Sequence, residues 1–166
     1  MGTQDNLKSA FAGESQASRR YVFFAEKAGK EGQPQIARLF RAAAEAETVH
    51  ARNHLDVMGG IGATRDNLKE AISGESYEFK EMYPGFIEQA EAENNKRGRV
   101  TFGYANEVEK VHHALYQKAL GTLESGQKLK DEPYFVCQNC GNTVGGEAPE
   151  RCPICGAPRS RFKRVE

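Results

Sequence analysis

The 166-residue sequence predicts an all-α four-helix bundle followed by a small β-rich module folded around a metal ion. Three observations carry that expectation. Four segments show apolar residues at helical spacing, a Glu-x-x-His motif occurs twice on them, and all four cysteines fall in two Cys-x-x-Cys pairs near the C-terminus. The two motif copies are Glu47-Thr48-Val49-His50 and Glu109-Lys110-Val111-His112. Residues three apart share a helix face, so each copy points a carboxylate and an imidazole the same way.

The first helix is expected over residues 4–30, on the stripe Leu7, Phe11, Glu14, Ala17, Tyr21, Phe24, Ala28. Gly32-Gln33-Pro34 interrupts it, and Pro34 suits the first turn of a second helix that runs to about Met58. That helix carries Ile36, Phe40, Ala43, Glu47, His50, His54 and Val57, an apolar stripe broken by ionisable groups. With a turn near Glu31 and Gly32, Glu14 and Glu47 face each other. Gly59-Gly60-Ile61-Gly62-Ala63 reads as a connection, and residues 59–65 span roughly 23 Å when extended. This reach allows one crossover connection, the ferritin-like arrangement of a four-helix bundle.

A third helix is expected from about Asp66 to Asn94, with Glu75 and Glu78 in its middle and a kink or local bulge around Pro84. A fourth, from about Lys96 to Glu124, carries Phe102, Ala105, Glu109, His112, Tyr116, Ala119 and Leu123 on one stripe. The two halves are related. Gly13-Glu14-Ser15 matches Gly74-Glu75-Ser76 at an offset of 61, and Glu47 matches Glu109 at 62, which places one inserted residue in the third helix. The repeat pairs Glu14 with Glu75, Glu47 with Glu109 and His50 with His112. Glu78 breaks the symmetry, because Ala17 stands in the equivalent place.

A carboxylate on a core stripe is costly unless it is hydrogen-bonded, neutralised or bound to a cation. Four carboxylates and two histidines from four helices form the donor set of a dinuclear site. Hard oxygens suit iron or manganese, and Glu47 and Glu109 are the expected bridges.

Residues 127–133 lie in a polar run ending at Pro133 and read as a linker between a bundle over 1–126 and a module over 134–166. The module offers one strand, Tyr134-Phe135-Val136, and then Cys137, Cys140, Cys152 and Cys155, each pair followed by glycine. Two such turns enclose one tetrahedral ion, either zinc or a redox-active iron. The apolar residues are too few for an independent core, so a metal has to hold the module together. A carboxylate site that needs an electron source tips the choice toward iron.

Composition excludes other classes. Lys plus Arg and Asp plus Glu cancel at 23 each, leaving no basic excess for nucleic acid or anionic lipid. The sequence shows neither a bilayer-spanning apolar run nor a basic start followed by one, so a cytoplasmic location and no membrane partner are expected.

The sequence resembles rubrerythrin from end to end. The likeness rests on Phe11-Ala12-Gly13-Glu14-Ser15-Gln16-Ala17, Gln35-Ile36-Ala37, both Glu-x-x-His motifs, Gly74-Glu75-Ser76-Tyr77-Glu78, Met82-Tyr83-Pro84 and the cysteine knuckles. It implies a rubredoxin-like C-terminal module and a non-haem di-iron peroxidase that reduces hydrogen peroxide to water in oxidative-stress defence. The implied ligands are Glu14, Glu47, His50, Glu75, Glu78, Glu109 and His112 for two iron ions, with a third iron on the four cysteines. It also implies that one iron exchanges Glu78 for His50 on reduction, and that Tyr21 and Tyr83 hydrogen-bond ligand glutamates.

Electrons would come from a reductase with NAD(P)H or from a rubredoxin. A homodimer or larger assembly is implied, with the module of one chain serving the di-iron site of another. Two alternatives remain at this point. One is a ferroxidase of the ferritin-like class, which the electron-transfer module argues against. The other is a non-catalytic binding protein with a zinc ribbon, which the complete ligand set argues against.

Overall fold

A computed structural model describes residues 2–165. The chain forms two compact units, one ending at Gly62 and the other beginning at Ala63.

The first unit is a helical hairpin of α1 (Thr3–Lys30) and α2 (Pro34–Val57). Gly32, at φ 72°, turns the chain, and the N–H of Gln33 closes the end of α1 on the Ala28 carbonyl at 2.9 Å. Pro34 starts α2, where its missing N–H costs nothing. The helices meet along small residues, Ser18, Ala25 and Ala28 against Ala37, Ala44 and Ala51, all buried. The alanines of α2 recur every seven residues and let the backbones approach closely. This differs from the expected stripe through Phe24, Ile36 and Val57, which remain about half exposed or more. Tyr21, Phe24 and Phe40 form a ring cluster with centroids 5.5–6.2 Å apart.

The second unit opens with α3 (Thr64–Tyr77), passes through a five-residue π-turn (Glu78–Met82) and continues as α4 (Tyr83–Ala92). The expected helix is therefore interrupted by a local bulge near Pro84, in the turn just before it. A π-turn holds one extra residue, and here the N–H of Tyr83 reaches the carbonyl of Glu78, five residues back. This is where the change in repeat offset is absorbed. Pro84 can neither donate a hydrogen bond nor tolerate a regular carbonyl four residues before it, which favours the widened turn upstream.

α5 (Lys96–Glu124) starts at Asn95, whose side chain accepts the Gly98 N–H at 2.9 Å. It packs against α3 and α4 around Ala90, Val108 and the rings of Tyr83, Phe86 and Phe102.

Beyond α5, three short strands among the described residues form an antiparallel sheet in the order β2-β1-β3: β1 (Tyr134–Cys137), β2 (Thr143–Gly145) and β3 (Phe162–Val165). Tyr134 pairs with both Gly145 and Val165. Cys137, Asn142, Ala148 and Cys152 are the buried residues of this module. β2 reaches α5, and Val108, only 2% exposed, meets Gly141 there: a Cβ added to that glycine would lie 3.7 Å from Val108 Cγ1.

Candidate metal centres

Helical spacing puts Glu47 and His50 on one face of α2, and Glu14 reaches them from α1. The His50 Nδ1 lies 2.9 Å from Glu47 Oε2 and 3.9 Å from Glu14 Oε1. The second unit repeats the arrangement. His112 Nδ1 lies 2.8 Å from Glu109 Oε2 on its own helix and 3.8 Å from Glu75 Oε1 on α3. The relation read from the sequence offset is thus present as two clusters of matching geometry, Glu14–Glu47–His50 and Glu75–Glu109–His112, whose ligand atoms lie within 4.8 Å of one another in each.

The electrostatics of the second cluster bear the mark of a cation site. Burial first, then a hydrogen bond and like charge from Glu109, pushes the Glu75 carboxyl from 4.5 up to about 7, against the opposing pull of His112. His112 is raised mainly by its hydrogen bond to Glu109, against a downward effect of burial. Protons therefore collect where the donor atoms converge. A bare Nδ1 lone pair and a carboxylate oxygen cannot share 2.8 Å without a proton or a cation between them, and this donor set fits a hard metal ion.

Both groups are protonated more readily in the folded chain. For a group with a raised folded pKa, the stability it adds is complete below the unfolded pKa and is lost as pH rises through the folded one. The metal-free protein is therefore expected to lose stability between pH 4.5 and about 7 on account of Glu75. In urea titrations Glu75→Gln should flatten that slope and gain about 1–2 kcal/mol at neutral to alkaline pH, a figure reduced for solvent screening. An unchanged slope would contradict the assignment.

Glu78 opens the π-turn beside this cluster. Burial, then the charge of Glu109, raises its carboxyl, while His112 lowers it. The Tyr83 phenol is raised by burial, then by Glu109, Glu78 and Glu75, so it lies within electrostatic reach of the same carboxylates. Tyr21 packs its ring on Phe24 and Phe40. His54 is partly buried on α2. His113, which points away from His112, is partly buried edge-on against Phe79 at 5.4 Å.

The four cysteines converge as the spacing predicts. Each Cys-x-x-Cys-Gly turn closes with a glycine N–H on the first cysteine's carbonyl, Gly141 to Cys137 and Gly156 to Cys152, both at 2.9 Å. Both glycines have positive φ, 89° and 72°, which a side chain would strain. Sulfurs from opposite knuckles lie 3.7 Å apart for Cys137–Cys155 and 3.5 Å for Cys140–Cys152. A tetrahedral ion with bonds of about 2.3 Å requires sulfurs about 3.8 Å apart, so the cluster fits one.

The thiols are unequal. Burial, with hydrogen bonds from neighbouring cysteines, pushes Cys140 far up. Cys155 is drawn down to about 6, because donors led by the Ala157 backbone N–H and the Asn139 side chain outweigh the upward effect of burial.

Sequence reasoning missed Thr143. Its hydroxyl lies 3.0 Å from His112 Nε2 across 31 residues of chain.

Comparison with known proteins agrees with this geometry. The family profile described as Rubrerythrin matches residues 5–120, and the profile described as Rubrerythrin, rubredoxin-like domain matches 135–163. Rubrerythrin-2 of Clostridium acetobutylicum is 38% identical, covering 97% of this chain and 95% of its own. Nigerythrin of Nitratidesulfovibrio vulgaris is 34% identical, covering 96% and 85%. A solved structure described as the fully reduced, all-ferrous state of nigerythrin has a TM-score of 0.57 at 34% identity, covering 99% of this chain and 87% of that one. The helical segments and the small cysteine sheet therefore have a ferritin-like plus rubredoxin-like fold. With matches to both profiles and relatives of this identity along nearly its full length, the chain belongs to the rubrerythrin family.

Proposed function

We propose that the protein is a non-haem di-iron peroxidase that reduces hydrogen peroxide to water in oxidative-stress defence, with electrons relayed through a rubredoxin-like four-cysteine iron. The observation that carries this reading is the presence, in one chain, of two matching Glu/Glu-x-x-His clusters and a four-thiolate site. The clusters supply a dinuclear donor set, and the thiolates supply an electron port. The all-ferrous nigerythrin relative supports iron over manganese or zinc.

In this reading Glu14, Glu47, His50, Glu75, Glu78, Glu109 and His112 would hold the two iron ions. When bound, two ferrous ions supply the two electrons that, with two protons, turn one hydrogen peroxide into two waters. Glu78, on the π-turn, is the extra carboxylate that can exchange with His50 as the charge of the site changes. Tyr83, whose phenol is raised by burial and then by Glu109, Glu78 and Glu75, is proposed as a hydrogen-bond donor to those glutamates. Tyr21 is proposed for the matching role.

Among the described residues no helix is long and apolar enough to cross a membrane. A cytoplasmic site of action is proposed, with a reductase using NAD(P)H or a rubredoxin as donor. Large apolar side chains exposed on the first hairpin, among them Phe23, Phe24, Leu39 and Val57, support a homodimer or larger assembly.

The test is steady-state turnover of iron-loaded protein with a reductase and NADH, offered peroxide or dioxygen. Peroxide should be consumed far faster. Faster reaction with dioxygen or with added ferrous iron would instead favour a ferroxidase. Glu78→Ala should keep its bundle metal while peroxide turnover slows; unchanged turnover would remove Glu78 from the mechanism.

A further inference from the structure

Thr143 opens β2, two residues after Gly141 of the first cysteine knuckle. Its hydroxyl donates to the Gly141 carbonyl at 3.1 Å, and its oxygen lies 3.0 Å from His112 Nε2. A threonine hydroxyl has a single hydrogen. With that hydrogen committed to Gly141, the oxygen can only accept from His112, which puts a proton on Nε2. A neutral imidazole protonated there carries its lone pair on Nδ1. Nδ1 is the atom that faces Glu109 at 2.8 Å and Glu75 at 3.8 Å.

Packing holds the joint in place. Val108, one turn before His112 on α5, is buried against the knuckle at Gly141. The contact lies within one chain, since α5 and β2 belong to the same compact unit. The related histidine, His50, makes the same Nδ1 contact to Glu47, yet its side chain is 54% exposed against 28% for His112. The two histidines are held unequally.

We propose that Thr143 is a positioning residue of the metal centre. Its one hydroxyl seats the cysteine module on α5 of the same chain and holds His112 in the tautomer that offers Nδ1 to a cation shared with Glu75 and Glu109. The proposal rests on the reading of those three residues as metal ligands. It also makes a continuous path, from Cys140 through the peptide to the Gly141 carbonyl, across the Thr143 hydroxyl and into the His112 ring. A link of this kind fixes the orientation of a metal-bound histidine and raises its affinity for the ion.

The test uses full-length protein with zinc in the cysteine site. The bundle is also loaded with zinc when the Nε2 proton is read, so that a cation stands between Nδ1 and Glu109, and is emptied for the affinity titration. Histidine-ring ¹H–¹⁵N correlation spectra read the presence and water-exchange protection of the Nε2 proton, and titration with manganese(II), which prefers carboxylates over thiolates, reads affinity through broadening of the His112 signals. Wild type and Thr143→Ser should both show a protected proton on Nε2. Thr143→Val should lose that protection and bind manganese about 10–100-fold more weakly.

A Thr143→Val protein with unchanged Nε2-proton protection and affinity would overturn the proposal, as would a zinc-loaded wild-type His112 without a protected proton on Nε2. If Thr143→Val loses its zinc, the wild-type and Thr143→Ser spectra decide by the same criterion. Manganese that leaves wild-type His112 unbroadened would overturn both the ligand assignment and the proposal. None of these readouts involves peroxide, so failure of the peroxidase reading alone leaves the result standing.

Discussion

Cys140→Ser is expected to lower reductant-driven peroxide turnover by roughly a hundredfold or more, because the module depends on its metal for structure as well as for electron flow. The buried side chains of the module are few: Cys137, Asn142, Ala148 and Cys152. Two of the four are cysteines of the proposed metal site, so removing an ion held there would leave almost no core. Burial also pushes the Cys140 thiol up, so its ionisation depends on a cation. The variant should lose the visible colour of a thiolate-bound iron and the dispersion of its β-sheet amide signals. Its helices should persist, and a chemically reduced bundle should still react once with peroxide. Full steady-state activity in Cys140→Ser would remove the relay from the account.

Glu109→Ala should have the second large effect, a loss of more than about 100-fold in metal affinity at the bundle, beyond what an outer partner of a ligand contributes. Glu109 is the hub of its cluster. It bonds His112, helps to push the Glu75 carboxyl up, and acts electrostatically on Glu78 and Tyr83. Its removal should also relieve Glu75, bringing that carboxyl part of the way back toward its ordinary value, with burial as the remaining upward cause. Isothermal titration with iron(II) or manganese(II) checks the first effect, and side-chain carboxyl NMR titration of the metal-free protein checks the second. Metal binding unchanged in Glu109→Ala would contradict its place among the ligands.

Much of the site was legible because its chemistry is written at helical spacing. Glu47–His50 and Glu109–His112 stand three residues apart, and the offset of 61 changing to 62 announced an extra residue that the π-turn at Glu78–Met82 accommodates. The cysteine knuckles were legible for a similar reason, since a Cys-x-x-Cys-Gly turn is local chain geometry.

Less legible was which stripe forms the seam of the first hairpin. Large apolar residues dominate any periodic reading, yet the buried contact is made by Ala37, Ala44 and Ala51, whose small size is the reason the helices fit. Thr143 had no sequence signal at all. Its partner lies 31 residues away in another kind of element, and neither periodicity nor a local motif links a strand residue to a helix side chain at that distance.

The measurement that bears most directly on the central claim is an anaerobic titration. The iron-loaded protein is fully reduced, hydrogen peroxide is added in steps, and the visible absorption of the four-cysteine iron is followed. The account predicts rapid consumption of the first equivalent with the cysteine site still colourless, and then return of its colour as further peroxide draws electrons through it. A cysteine site that stays colourless because it holds zinc, or a bundle that ignores peroxide and reacts only with dioxygen, would contradict it.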